Sequence, residues 1–282
     1  MKLNFLGSTM STHYLFAALP HALYRKNPDV LDTMLDLYAT DLKSLAESGL
    51  SIHGERLHFW CIAVKGDLPY LAKAGKMTRN FGKCAKQPTS RTRCSGICWM
   101  CKAGDEQDGI PFEDFSTRAL WLGTRGGAPG WEEPSPLLKI PHCVQDPSTL
   151  YVPDWWHSFH LGAGKSYVAS AIVVLVQSAE MPAASIATKL AILSADFEEY
   201  CRRRGKYGYI TGITKDLLGF KKATDLPTGH WWKGFVTTRL LDWLQDYLAR
   251  HCAGTQDPLL QAIANRAAKQ LAFIFCLYKH YF

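Results

Sequence analysis

The chain is short of three things, and each absence narrows its function. Between residues 65 and 102 it has a single acid, Asp67, against nine basic residues; that local balance of +8 exceeds the formal +7 of all 282 residues. A stretch so poor in carboxylates does not neutralise itself, and it points to a polyanionic partner. Long apolar runs are also lacking. The longest, residues 167–176, falls well short of the ~20 residues a membrane-spanning helix needs, so no membrane partner is expected. Third, no signal peptide is expected at Met1, and nine cysteines, an odd number at uneven spacing, read as no disulfide framework. Reduced thiols inside a cell are expected. No polar linker, low-complexity tract or internal repeat stands out.

What is present supports a substantial core. The chain is 47% hydrophobic and 20% charged, enough for one large domain or two small ones. Residues 13–19 (HYLFAAL) read as a buried strand. Asn27-Pro28 supplies a cap and a first-turn proline. Leu31, Leu35, Tyr38, Leu42 and Leu45 follow at helical spacing to Gly49. Residues 57–64 (LHFWCIAV) are apolar on both faces, as in the centre of a sheet. That strand ends at Lys65-Gly66-Asp67, placing an acid at the carboxyl end of a strand, where sites in α/β sheets gather. The fold class expected is therefore α/β. Residues 1–75 would form a strand–helix–strand core and 76–109 a cysteine-rich basic insertion without periodicity. Residues 110–282 would be mostly helical, over roughly 157–178, 183–204, 235–250 and 258–281. The stripes Ile186, Leu190, Leu193, Phe197 and Val236, Leu240, Trp243, Leu244, Tyr247 read as core.

Several motifs carry chemistry. Cys94-x3-Cys98-x2-Cys101, with Cys84 ten residues earlier, can bring up to four thiolates around one tetrahedral zinc ion. The polar, glycine-bearing sequence between them offers no core, so a metal would supply folding energy. His142 or Cys143 could replace Cys84, the weakest member. Asp67, followed by Leu68-Pro69, suits either a Mg²⁺ or Mn²⁺ ligand or the N-cap of a short helix. Asp154-Trp155-Trp156-His157, with His160 after it, sets an acid and two imidazoles near a helix start. They are candidates for metal ligands or an acid/base pair, against a cap and packed histidines. The Gly162-Ala163-Gly164-Lys165-Ser166 run departs from a phosphate-binding loop, because Phe159 stands where the first glycine belongs; a glycine kink is expected. The basic run Arg202-Arg203-Arg204-Gly205-Lys206 suits a helix C-terminus. Trp231-Trp232 would either pack inward or stack on bases.

The order of these segments resembles a known family. A helix ending Asp-Leu-x-x-Leu-x-x-x-Gly-Leu (Asp41 to Leu50) precedes a strand ending Gly-Asp-Leu-Pro. A Cys-x-x-Cys insertion follows, and then Asp-x-x-His leads a helix. This looks like the CACTA-type (En/Spm-like) DDE transposases and related transposon-derived proteins with cysteine-rich insertions. The resemblance implies an incomplete RNase H-like core with a zinc-stabilised loop insertion. It makes Asp67 a catalytic metal-binding acid and matches Asp154 and His157 to the Asp-x-x-His segment. Zinc would sit on Cys84, Cys94, Cys98 and Cys101. Lys73, Lys76, Arg79, Lys83, Lys86, Arg91 and Arg93 would meet DNA phosphate. It further implies a nuclear location, a Mg²⁺ or Mn²⁺ requirement for any catalysis, and leaves homo-oligomerisation open. The family's first catalytic aspartate lies two strands upstream of residues 13–19, and its third acid has no counterpart here. The expectation is thus a fragment or degenerate descendant that binds DNA without cutting it, the alternative being a non-catalytic zinc-dependent nucleic-acid or protein-interaction module.

Overall fold

Pro20 leads into one helical turn, α1 (His21–Arg25), and Asn27 then opens the long helix α2 (Pro28–Glu47). The Asn27 side chain accepts the Asp29 N–H at 3.2 Å, and Pro28 sits in the first turn, where its missing N–H is not needed. Leu31, Leu35, Ala39 and Ala46 form the buried stripe. Gly49 ends the helix at φ +68°, and its N–H bonds the Ser44 carbonyl at 3.2 Å. A Cβ there would lie 2.7 Å from the Leu57 carbonyl oxygen, so only glycine allows the chain to turn back here. The turn feeds an antiparallel hairpin, β1 (Leu50–Ile52) with β2 (Glu55–Leu57), Leu50 opposite Leu57.

The two long strands expected from the sequence do not form among the described residues. In this computed structural model, which describes residues 15–83, 95–127, 129–181, 185–222 and 225–265, residues 15–20 are irregular. Leu15 and Phe16 there are exposed; residues 13 and 14 lie outside the described residues. Residues 58–63 are irregular too, with Trp60 67% and Ile62 92% exposed. A buried central strand must pair its backbone on both sides, and neither segment has a ladder. The strand that does form is shorter and later: β3 (Val64–Gly66). It is followed by helix α3 (Leu68–Ala74) and pairs in parallel with β4 (Tyr151–Pro153), 87 residues further on. The chain is α/β, with two two-stranded sheets among the described residues and helices predominating.

The chain divides into two compact units, cut between Asp154 and Trp155. Three segments were expected from the sequence; there are two units because residues 95–154 fall together with α2 and β3. The insertion does have a core. Trp99 and Cys101 are buried, and Trp99 joins Leu31, Leu71, Trp131, Ile140 and Tyr151 in one apolar cluster. Gly130 makes room for it, since a Cβ there would lie 2.5 Å from the Trp99 Cα.

The second unit is helical. A π-helical segment (Trp156–Ala163) runs into α4 (Gly164–Gln177), with a kink at Gly162 (φ −115°, ψ −112°). The glycine-rich run is therefore a helix junction. A Cβ on Gly164 would meet the Phe159 ring at 2.7 Å. Together these 22 residues are long and apolar enough to cross a membrane, a length that the run at 167–176 alone does not reach. Val168, Ala169, Ile172, Leu175 and Val176 are, however, packed in the core of the unit. Helices α5 (Ile186–Arg203), α6 (Lys215–Leu218) and α7 (Gly234–His251) complete it. Residues 258–265 are helical, and the rest of the expected last helix lies outside the described residues. Leu190, Leu193 and Phe197 of α5 and Val236, Leu240, Trp243, Leu244 and Tyr247 of α7 are buried as their spacing predicts.

Candidate functional site

The parallel pairing of β3 with β4 sets two acids side by side. Gly66 is opposite Pro153, and the Asp154 N–H bonds the Gly66 carbonyl at 2.7 Å. Asp67 and Asp154 are the next residues after that pair, on strands roughly 4.8 Å apart. They thus share the carboxyl end of the sheet, where the sequence placed Asp67 alone. Both are partly buried. Asp67 is also the N-cap of α3: its Oδ1 accepts the Tyr70 N–H at 2.8 Å. The capping role weighed against a metal role is therefore present, and it uses one carboxylate oxygen. Asp154 Oδ1 is 3.5 Å from the Lys65 Nζ, whose side chain is mostly exposed. Lys65 thus meets Asp154, and the backbone register sets Asp67 beside it at the sheet end. His157 is exposed in the π-helical segment, and Asp154 precedes that segment, so the two do not share a turn of regular α-helix.

The thiols Cys98 and Cys101 lie in a tight turn. The Ile97 N–H bonds the Ala103 carbonyl at 2.8 Å and closes it, and the Met100 N–H points at the Cys98 Sγ at 3.4 Å. The hydrogen bond from the Cys101 thiol lowers the Cys98 thiol to about 6, helped by backbone N–H groups and by the charge of Arg79. Cys101, the donor of that bond, keeps its proton and is pushed upward, by the bond and by burial. A lowered thiol beside a second sulfur, with the Met100 N–H aimed at it, has the thiolate character that a metal ligand needs. Cys84 and Cys94 lie outside the described residues, as do Lys86, Arg91 and Arg93. Among the described residues no three His, Cys, Asp or Glu side chains gather in a metal-holding group. His142 and Cys143 thus do not join the thiol pair; the His142 Nδ1 is 2.6 Å from the Ile140 carbonyl, and Cys143 is exposed.

The described basic residues are less available than their number implies. Lys73 lies over the Tyr24 ring, 4.3 Å from its centroid. Lys76 is paired with Asp32 at 2.8 Å. Arg79 is buried, its Cγ and Cδ lining Gly96. Lys83 ends a short exposed 3₁₀ turn. Arg202, Arg203 and Arg204 meet Glu199 and Asp246, and Lys206 meets Asp242 at 2.9 Å. This ties them into their own unit. Trp231 is buried with its indole N–H donated to Thr237, while Trp232 is 89% exposed. His160 is buried, within hydrogen-bond distance of the Thr238 hydroxyl at 3.2 Å, and burial pushes its imidazole down to about 4. It is a neutral core histidine.

Sequence reasoning treated Asp154 with His157, and missed its pairing with Asp67. The available signal was Tyr151-Val152-Pro153, a short strand-like run ending in an acid like the run before Asp67. It also missed Arg79 as a neighbour of the thiols. No protein-family model matches this chain, and no curated protein or solved structure matches it.

Proposed function

We propose that this chain is a DNA-binding protein derived from a CACTA-type DDE transposase, with an RNase H-like ancestry. It seats a divalent cation between Asp67 and Asp154, and structural zinc on Cys84, Cys94, Cys98 and Cys101. The observation that carries this reading is the parallel register of β3 and β4, which brings two acids from distant regions of the chain to one sheet end. The thiol pair with its lowered Cys98 supports the zinc, and the +8 balance over residues 65–102 supports the polyanionic partner. The apolar side of α4, packed in a core, supports a soluble partner over a membrane.

Strand cleavage by two metals needs several carboxylates around two cations about 4 Å apart. Two aspartates seat one, so binding without cutting is the proposed activity. The second reading, a zinc-dependent interaction module with no cation at Asp67, draws on the helix cap and the Lys65 pair. Metal analysis of the purified protein should return about one zinc per chain, and none overturns that assignment. Duplex DNA affinity should fall steeply with salt. Nicking of supercoiled DNA in Mn²⁺ that disappears in Asp67→Ala would refute the non-cutting reading, and DNA affinity insensitive to salt would refute the basic footprint.

A further inference from the structure

The helical unit carries a second candidate surface that the paired acids and thiols do not use. It is an open cleft of about 570 Å³ between the end of α5 and the start of α7. Its rim is the sequence Tyr207-Gly208-Tyr209. Both tyrosines are exposed, Tyr207 at 73%, and their rings meet edge to face at 4.8 Å between centroids. Aromatic side chains this large normally bury their faces or mark a binding surface.

The backbone is built to hold them outward. A Cβ on Gly208 would lie 3.0 Å from the Phe197 ring, so the glycine seats the loop on the core and the flanking tyrosines point away. Tyr209 has φ +62°, a left-handed conformation that costs a bulky residue energy and persists only where its surroundings impose it. Ser194 of α5 fixes the other side of the loop, its hydroxyl accepting the Ile213 N–H at 2.8 Å. Tyr209 stacks on exposed Phe235 at 6.1 Å and 25°, and the Lys233 Nζ lies 5.9 Å from the Tyr209 ring centroid. Next along the chain, the exposed Trp232 ring has the Lys165 Nζ at 5.9 Å. The surface thus carries a run of three rings, Tyr207, Tyr209 and Phe235, and two ring–ammonium pairs, Lys233 with Tyr209 and Lys165 with Trp232.

We infer that this cleft binds single-stranded nucleic acid, with unpaired bases stacked on Tyr207 and Tyr209 and a backbone phosphate on Lys233. Exposed rings offer faces to unpaired bases, and the lysines beside them offer charge to the phosphates of a single strand. A sugar or a proline-rich segment would use the rings but gain nothing from the lysines. Asp216 is the one acid among the lining residues, so the backbone runs on the Lys233 side. This inference rests on the nucleic-acid reading above for its partner class, but on a different unit for its site.

The test is fluorescence anisotropy of the full chain with labelled oligothymidylate and, separately, with a labelled duplex. The double variant Tyr207→Ala/Tyr209→Ala should lose about tenfold or more in single-strand affinity, the loss expected of stacked bases, and keep its duplex affinity. Tyr207→Phe/Tyr209→Phe keeps the ring faces and should bind like the wild type, which separates stacking from any fault of folding. Lys233→Gln should lower the slope of log affinity against log salt by about 0.7. Unchanged single-strand affinity in the double alanine variant overturns this site and leaves the duplex reading standing. Failure of the wild type to bind either form overturns both. Capture of a polyproline peptide in place of oligothymidylate overturns the assigned partner.

Discussion

The two units differ in how they are built, and the difference follows the chemistry. The unit from Trp155 onward consists of helices whose buried stripes repeat at helical spacing. Its ion pairs, such as Arg250 with Asp196 at 2.8 Å, tie helix to helix. The unit ending at Asp154 has one long helix, α2, and is otherwise built of three-residue strands, short helices and many turns. It holds the adjacent aspartates and the thiol pair. Irregular backbone lets residues distant in sequence converge, at the expense of the regular hydrogen bonding that stabilises a helix. The comparison predicts that metal dependence belongs to the first unit and pH-dependent packing to the second.

The largest effect should come from the proposed zinc. Removing it with a strong chelator should raise amide hydrogen exchange across residues 95–110 while α5 and α7 keep their protection. Structural zinc sites in general contribute folding energy outright, of order 10 kcal/mol in small domains. Equal loosening of both units would break the comparison, and no loosening of either would remove zinc from it.

A smaller effect should strike the helical unit. His160 sits near 4 when folded, against about 6.5 for a free imidazole. The unfolded chain therefore takes up the proton first as pH falls. The contribution of this neutral, buried ring is complete above about pH 6.5 and is lost as pH drops from there toward 4, to the extent of ~2–3 kcal/mol. Urea unfolding followed in α7 at pH 7 and pH 4.5 measures it, and His160→Gln should flatten the difference. A wild-type pH profile already flat over that range would contradict the burial account.

The same contrast explains what the sequence disclosed. The α2 cap at Asn27, its stop at Gly49 and the stripes of α5 and α7 follow from local rules: cap chemistry, a left-handed glycine, a period of 3.6. Two strands were misjudged because apolar composition in residues 57–64 reports a liking for burial, while a strand also needs neighbours to pair with. The insertion's core was missed because Trp99 and Trp131 make their contacts across a long sequence separation that no periodicity reveals. Asp67 was legible as an acid at a strand end and as a cap, and both hold. Its closeness to Asp154 is a property of strand pairing, which one-dimensional pattern does not carry. The basic residues were legible as charge, but the partners of Lys73, Lys76 and Arg79 were not, because they come from α1, α2 and the thiol turn.

The aspartate pair is where the account is most directly exposed. Mn²⁺ should be titrated into the zinc-loaded wild type and into Asp154→Asn, with binding read by calorimetry and folding by thermal melting. The pair predicts one Mn²⁺ site in the wild type, weakened tenfold or more in the variant, about 1.4 kcal/mol, with an unchanged melting temperature in the absence of Mn²⁺. Mn²⁺ binding of equal strength in both proteins, or none in the wild type, would contradict it.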